Sequence, residues 1–156
     1  MAKATAAHSF SRIGVIGGGA WGTALAQTLR MANRDVSLWA RDAKVVAGIN
    51  AQHANNAYLP DVALDAGLKA TTDLGDVASA DLVLLVTPAQ VTRAMAEAIK
   101  PHLRTNVPIV ICAKGIEQSS GKRLSTVLAE VLPTAPLAVL SGQALPPTLC
   151  ADYQRR

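Results

Sequence analysis

A glycine cluster, an arginine and a lysine stand where backbone amides and side-chain cations could grip a phosphorylated ligand. Gly17-Gly18-Gly19-Ala20-Trp21-Gly22 satisfies G-x-G-x-x-G. In that pattern Gly17 permits a tight turn, Gly19 lets the backbone approach a pyrophosphate, and Gly22 lets a helix pack close to the preceding strand. Unpaired N–H groups at the helix N-terminus then face the phosphates. Glycines also make ordinary turns, so the flanks decide. RIGVI before the cluster reads as a strand, and TALAQTL after it as a helix. Strand, glycines and helix together read as a dinucleotide-binding turn.

The tip of the next strand bears on which dinucleotide is held. NAD-specific sites usually place Asp or Glu there to bind the ribose 2′-OH. This sequence has Trp39-Ala40-Arg41-Asp42. The planar cation of Arg41 could pair with a 2′-phosphate or stack on adenine; its alternative is a solvated surface arginine. Asp42 stands one position late, so use of both NAD and NADP is open, with NADP at least tolerated. Farther on, Thr87-Pro88-Ala89-Gln90 leaves an apolar strand where a nicotinamide pocket would lie. Pro88 either lines that pocket or only shapes the turn and starts a helix. The run IVICA delivers Lys114-Gly115-Ile116-Glu117. Lys114 could meet a phosphate, a ribose or a carbonyl oxygen there, or be an exposed strand-end lysine.

Short apolar runs that alternate with helical patterns would carry these residues. Strands are expected at Arg12–Ile16, Asp35–Ala40, Lys69–Thr71, Asp81–Val86, Ile109–Ala113 and Leu137–Leu140. Helices are expected at Trp21–Ala32, Ala43–Asn50, Gln90–Leu103 and Arg123–Leu132. In the first helix Leu25, Leu29 and Ala32 are spaced to face a sheet. The βαβ alternation implies an α/β fold, a doubly wound parallel sheet with right-handed crossovers. Ligands of such sheets sit beyond the carboxyl ends of the strands, where strand order reverses.

Composition agrees with one buried sheet and argues against other classes. Half of the 156 residues are hydrophobic but only 3% are aromatic, so the core must be built from Ala, Val, Leu and Ile. The net charge of +4 is spread along the chain, and with few aromatics to stack on bases nucleic acid is not an expected partner. No apolar stretch approaches the roughly 20 residues needed to span a bilayer. Cys112 and Cys150 form no C-x-x-C pair and read as reduced thiols of a cytoplasmic protein, Cys112 as a small core residue. No metal site is expected. Residues 1–11 (MAKATAAHSFS) read as a disordered lead-in to a dinucleotide-binding domain at 12–142.

Several ordered motifs resemble one family, bacterial-type NAD(P)-dependent glycerol-3-phosphate dehydrogenase. GGGAWGTALA looks like its glycine loop, LWARD its second strand tip, and NNAYLPDVAL its N-x-x-Y-L-P loop. TPAQVTR, AKGIE and the SG of SGQ at 141–143 resemble further family stretches. The resemblance runs from Arg12 to Gly142 and implies a Rossmann-like domain followed in the family by a helical C-terminal domain. It implies that Ala20, Trp21, Arg41 and Tyr58 contact NAD or NADP, that Lys114 touches cofactor and substrate, and that Gly142 borders the phosphoglycerol. It further implies interconversion of sn-glycerol 3-phosphate and dihydroxyacetone phosphate, in glycerophospholipid precursor synthesis, by a homodimer. The family's proton-transferring lysine lies on the C-terminal domain and has no counterpart here. Alternatives are the cofactor half of another hydroxyacid-type or ketopantoate-type reductase, against which AKGIE and YLP argue, or a non-catalytic NAD(P)-binding module.

After Gly142 the family continues P-S/T-F-A, whereas this chain reads QALPPTLCADYQRR. One permitted codon choice from Ser141, with a single C inserted after the Gly142 codon, translates as S-G-P-S-F-A-A-D-V-V-R-G-L-P-T. Residues 143–156 are therefore expected to be the out-of-frame product of a one-base deletion. A natural short paralogue and an engineered truncation are the alternatives. The expectation carries a poorly anchored Leu145–Arg156, with Pro146-Pro147 blocking a helix, and little or no turnover by this chain. Sequencing the gene across the Gly142 codon should show the family's continuation in the neighbouring frame; an intact frame that encodes these residues and runs on past Arg156 would remove the hypothesis.

Overall fold

A computed structural model describes residues 10–141. Six strands lie parallel in one sheet: β1 (Arg12–Ile16), β2 (Asp35–Trp39), β3 (Lys69–Thr71), β4 (Leu82–Leu85), β5 (Ile109–Ile111) and β6 (Leu137–Val139). Their order is β3-β2-β1-β4-β5-β6, so the sheet is wound outward in both directions from β1. This is the Rossmann order, and its switch point lies between β1 and β4. Five helices cross over the sheet: α1 (Ala20–Met31), α2 (Ala43–Gln52), α3 (Leu74–Ala78), α4 (Thr92–Ile99) and α5 (Leu124–Val131).

Strand periodicity divides the core in two. Successive side chains of a strand point to opposite faces. Ile13 and Val15 of β1 join Leu25, Val36, Leu38, Val45, Ile49 and Leu84 under α1 and α2. Ile16 goes the other way, with Val83, Leu85, Ile99, Ile109, Ile111, Leu124 and Leu128 beneath α3, α4 and α5. The strands of the middle are covered on both sides, which is why they read as continuous apolar runs rather than as alternation.

The element boundaries depart from sequence expectation in ways that have local causes. β2, β4, β5 and β6 each end one or two residues early, because Ala40, Val86, Cys112 and Leu140 are already turning off the sheet after one last ladder bond. The helix expected over 90–103 is one α-helical segment between two 3-10 turns, Ala89–Val91 and Lys100–His102. Pro101 cannot supply the amide that would continue it. Ala32 does not face the sheet: it is exposed, beyond the last turn of α1, whose buried stretch is Gly22–Gln27.

The short α3 went unpredicted. Its five residues are too few to show a 3.6-residue period, but its N-cap was readable: the Asp73 carboxylate accepts from the Gly75 amide at 2.7 Å. What seats α3 is Gly14. A Cβ at residue 14 would lie 2.3 Å from the Val77 carbonyl oxygen, so α3 rests on β1 only because that position has no side chain. Ser11 already accepts the Asp35 amide at 3.0 Å. The expectations for residues 1–9 and for the tail 143–156, Cys150 included, lie outside the described residues. Among the described residues no helix is long and apolar enough to cross a membrane, and no group of three His, Cys, Asp or Glu is placed to hold a metal.

Gly14→Ala should therefore destabilise the chain by about 1–3 kcal/mol, the usual effect of overpacking a tight interior. The urea midpoint reads this directly, and an unchanged midpoint would show that α3 can lift off β1 at little cost.

Candidate functional site

The turn between β1 and α1 leaves amides free because the chain reverses there without spending them. Gly17 adopts φ +135°, a conformation open to glycine, and its own amide reaches sideways to the Trp39 carbonyl at 3.0 Å. The first bond of α1 runs from the Thr23 amide to the Gly19 carbonyl at 2.9 Å. The amides of Ala20, Trp21 and Gly22 thus have no partner within the helix, as at any helix start. No side chain caps them and no acidic residue stands in the first turn. A Cβ at Gly22 would lie 1.8 Å from the Gly17 carbonyl oxygen, whereas one at Gly19 would meet nothing within 4 Å. Gly22 is thus a packing glycine, and Gly19 opens the space in front of the amides.

Those amides face a cavity of about 930 Å³ that runs along the carboxyl ends of the middle strands. Gly17, Gly19, Ala20, Trp21, Gly22, Arg41, Tyr58, Pro88 and Lys114 all line it, so every dinucleotide-contact candidate taken from the sequence reaches one space. Gly142 lies outside the described residues. The cavity lies where β1 and β4 diverge, with β2 supplying one end and β5 the other. From β2 to β5 is three strand spacings, about 14 Å. Arg41 stands at the first end and Lys114 at the second, and neither side chain pairs with a carboxylate among the described residues. Asp42, beside Arg41, is occupied: its carboxylate accepts the Lys44 amide at 2.8 Å and caps α2.

Each flanking loop is tied down near the cavity. Asn55 is buried and donates both to the Gly18 carbonyl at 3.0 Å and to the Thr23 hydroxyl at 2.8 Å. Leu59 is buried against Ala24 of α1, while Tyr58 between them stays half exposed at the cavity wall. N-x-x-Y-L-P is thus a brace for the glycine turn that also presents a ring to the cavity. On the other side, Gln90 donates to the Ile116 carbonyl and accepts the Gln118 amide, both at 2.9 Å. Arg93 meets the buried Glu117 carboxylate through two nitrogens, at 2.8 and 2.9 Å. Ser120 donates to the same carboxylate. The Arg93 guanidinium, then the Ser120 hydroxyl, pull the Glu117 carboxyl down to about 2, and Arg93 is held protonated by Glu117 and Glu130. Burial pushes the Cys112 thiol up to about 11, which keeps it an inert core residue at neutral pH.

The family model for the N-terminus of NAD-dependent glycerol-3-phosphate dehydrogenase matches residues 12–149. The chain belongs to this family. A glycerol-3-phosphate dehydrogenase (NAD(P)+) of Paramagnetospirillum magneticum is 55% identical over 144 residues, covering 92% of this chain and 51% of that protein. Its counterpart from Rhodospirillum rubrum is 56% identical over 131 residues, 83% of this chain and 38% of its own length. The crystal structure of glycerol-3-phosphate dehydrogenase from Coxiella burnetii superposes with a TM-score of 0.85 at 31% identity, covering 92% of this chain and 44% of that one. The chain spans about half the length of these relatives. Membership in the glycerol-3-phosphate dehydrogenase family sets aside the ketopantoate-type alternative.

Several cavity residues escaped the sequence reading. Trp39 lines the wall with its Nε1 tied to the Thr72 carbonyl at 2.9 Å; in the LWARD sequence only Arg41 carries a charge that points to a ligand. Val45, Val91, Met95 and Cys112 line the cavity too, and nothing distinguishes them in sequence from core residues. Arg93 and Glu117 sit in TPAQVTR and AKGIE, but a pairing across the intervening strand has no signature in either motif.

The Glu117 pairing has a pH signature. A carboxyl lowered from 4.5 to about 2 contributes stability that is whole above pH 4.5 and is lost as pH falls toward 2. Glu117→Gln should flatten the dependence of the urea midpoint on pH across that window relative to the wild type. Equal slopes would show that the carboxylate titrates normally in the folded chain.

Proposed function

We propose that this chain is the cofactor-holding part of a glycerol-3-phosphate dehydrogenase that uses NAD or NADP. The observation that carries the reading is one cavity in which free main-chain amides stand between two cations, Arg41 and Lys114, that have no carboxylate partner among the described residues. The donor set suits a dinucleotide. Unpartnered amides at a helix N-terminus, an open space over Gly19 where a side chain would block approach, and positive charge at both ends favour a long anionic ligand with its diphosphate in the middle.

In this reading the amides of Ala20, Trp21 and Gly22 bind the diphosphate, and Gly17, Gly19 and Gly22 shape the turn that presents them. Arg41, Trp39 and Tyr58 border the adenosine end, with Asp42 withdrawn as a helix cap. Pro88 and Lys114 border the nicotinamide end. When bound, an oxidised nicotinamide would take a hydride from C2 of sn-glycerol 3-phosphate, whose hydroxyl gives up its proton, and a reduced one would return a hydride to C2 of dihydroxyacetone phosphate as its oxygen is protonated. The Lys114 ammonium orients the phosphorylated substrate and the nicotinamide ribose beside one another, while the apolar wall of Val91, Met95 and Cys112 excludes water from that end. Gly142, outside the described residues, is assigned to the phosphoglycerol on the family resemblance alone. The substrate is a small phosphorylated molecule and neither nucleic acid nor a lipid bilayer; the setting is cytoplasmic glycerophospholipid precursor synthesis, and the whole protein a homodimer. We take the domain as Arg12 to Gly142, with residues 1–11 a lead-in and the residues from Gln143 departing from the family's P-S/T-F-A continuation, although the family match itself runs on to residue 149.

Titration with NADH and NADPH, followed by the fluorescence of Trp21 and Trp39, tests the reading; saturable quenching by neither would overturn it. Arg41→Ala separates the roles of the guanidinium. Loss of one charge-assisted contact to a 2′-phosphate should weaken NADPH about tenfold or more with little effect on NADH. Equal weakening of both would indicate stacking on adenine instead.

A further inference from the structure

Lys114 is held in place by residues that never enter the cavity. It stands on the loop from β5 to α5, next to Gly115 at φ +109°, and makes no hydrogen bond or ion pair with a described residue. Nothing at its own side chain fixes it. The loop beyond it is closed by the Glu117 amide on the Lys122 carbonyl at 2.9 Å and the Gly121 amide on the Glu117 carbonyl at 2.8 Å. Three residues further on, the fork of Arg93 from α4 grips the Glu117 carboxylate at 2.8 and 2.9 Å, and Glu117 is only 6% exposed. Gln90, at the start of the same helical segment, grips the backbone on both sides of Glu117, at Ile116 and Gln118. Pro88 and Ala89, on the cavity wall, lead directly into this segment. The segment that forms one side of the nicotinamide end thus fixes the loop that carries the lysine on the other.

We propose that Glu117, through its bidentate pairing with Arg93, is a positioning residue that sets where Lys114 stands over the cavity. This rests on the dinucleotide reading above and adds to it the residues that act through Lys114. An isolated buried carboxylate would be costly. Here Arg93 and Ser120 take up both of its oxygens, and that completeness makes the joint stiff. Lys114 is only three residues away, so a shift at Glu117 passes to it through a short backbone.

The test is a double-mutant cycle in the 156-residue chain: wild type, Glu117→Gln, Lys114→Ala and the double variant, each titrated with NADH and with ADP. ADP spans only the Arg41 end and the glycine turn, so it reports an intact fold without using Lys114. If Glu117 acts through Lys114, Glu117→Gln should weaken NADH about tenfold in the wild type and by less than twofold in the Lys114→Ala background, with ADP bound alike by all four. Contacts that share one network couple in this way. Equal weakening in both backgrounds, or no weakening at all, would overturn the proposal. If Glu117→Gln loses ADP binding as well, its fold has failed and Arg93→Lys replaces it in the same cycle. That substitution keeps the charge and gives up the fork, and the same two outcomes decide. A wild type that binds ADP but not NADH would instead refute the placement of the nicotinamide end, and one that binds neither would refute the dinucleotide reading itself.

Discussion

A contact that only glycine can make underlies the site. The α-carbon of Gly22 lies so close to the Gly17 carbonyl that a Cβ would sit 1.8 Å from the oxygen. That closeness lets α1 begin after only the three-residue turn Gly17–Gly19 that follows β1. The helix therefore points its first amides along the rim of the sheet at the one place where strand order reverses. Add a methyl group at residue 22 and the helix must back away, taking the amides of Ala20 and Trp21 with it. The glycine end of the cavity and the direction in which the first α1 amides point inherit their geometry from this approach.

Everything around the turn serves to keep it where it is. Asn55 holds Gly18 from above while Leu59 anchors the same loop against Ala24. Val86 donates to the Ile16 carbonyl and Gly17 to the Trp39 carbonyl, so β4 and β2 fix the turn from both flanks. The far end of the cavity is fixed by the Arg93–Glu117 pairing and by Gln90. The two ends are built on different principles. The glycine end is set by backbone packing, which tolerates no added atom, and the lysine end by charged side chains whose grip is complete at neutral pH and fails in acid.

Much of this was legible from residue order because the relevant physics is local. Glycines at a strand exit, short strands of three to five residues and the turns between them specify the doubly wound sheet, and the nine candidate cofactor residues read from the chain all reach one cavity. What was not legible was non-local. The seat of α3 on Gly14 depends on a packing contact between residues more than sixty positions apart. The Arg93–Glu117 fork joins two motifs across an entire strand, and a lone arginine or glutamate in each gives no sign of its partner. Ala32 misled because helical spacing continues past the residue at which the helix stops. Trp39 gives no sign in sequence of the wall its ring forms, because the bond that turns it there runs from its Nε1 to the carbonyl of Thr72, thirty-three residues away.

The central claim is that the free amides at the start of α1 hold a dinucleotide diphosphate. Amide-resolved NMR of the 15N-labelled chain during NADH addition tests it most directly. The account predicts large, saturable shifts of the Ala20, Trp21 and Gly22 amides, with smaller ones at Arg41 and Lys114 and none in the polar groove around Arg12 and Lys69 at the other end of the sheet. Silent α1 amides, with shifts gathered in that groove instead, would contradict it.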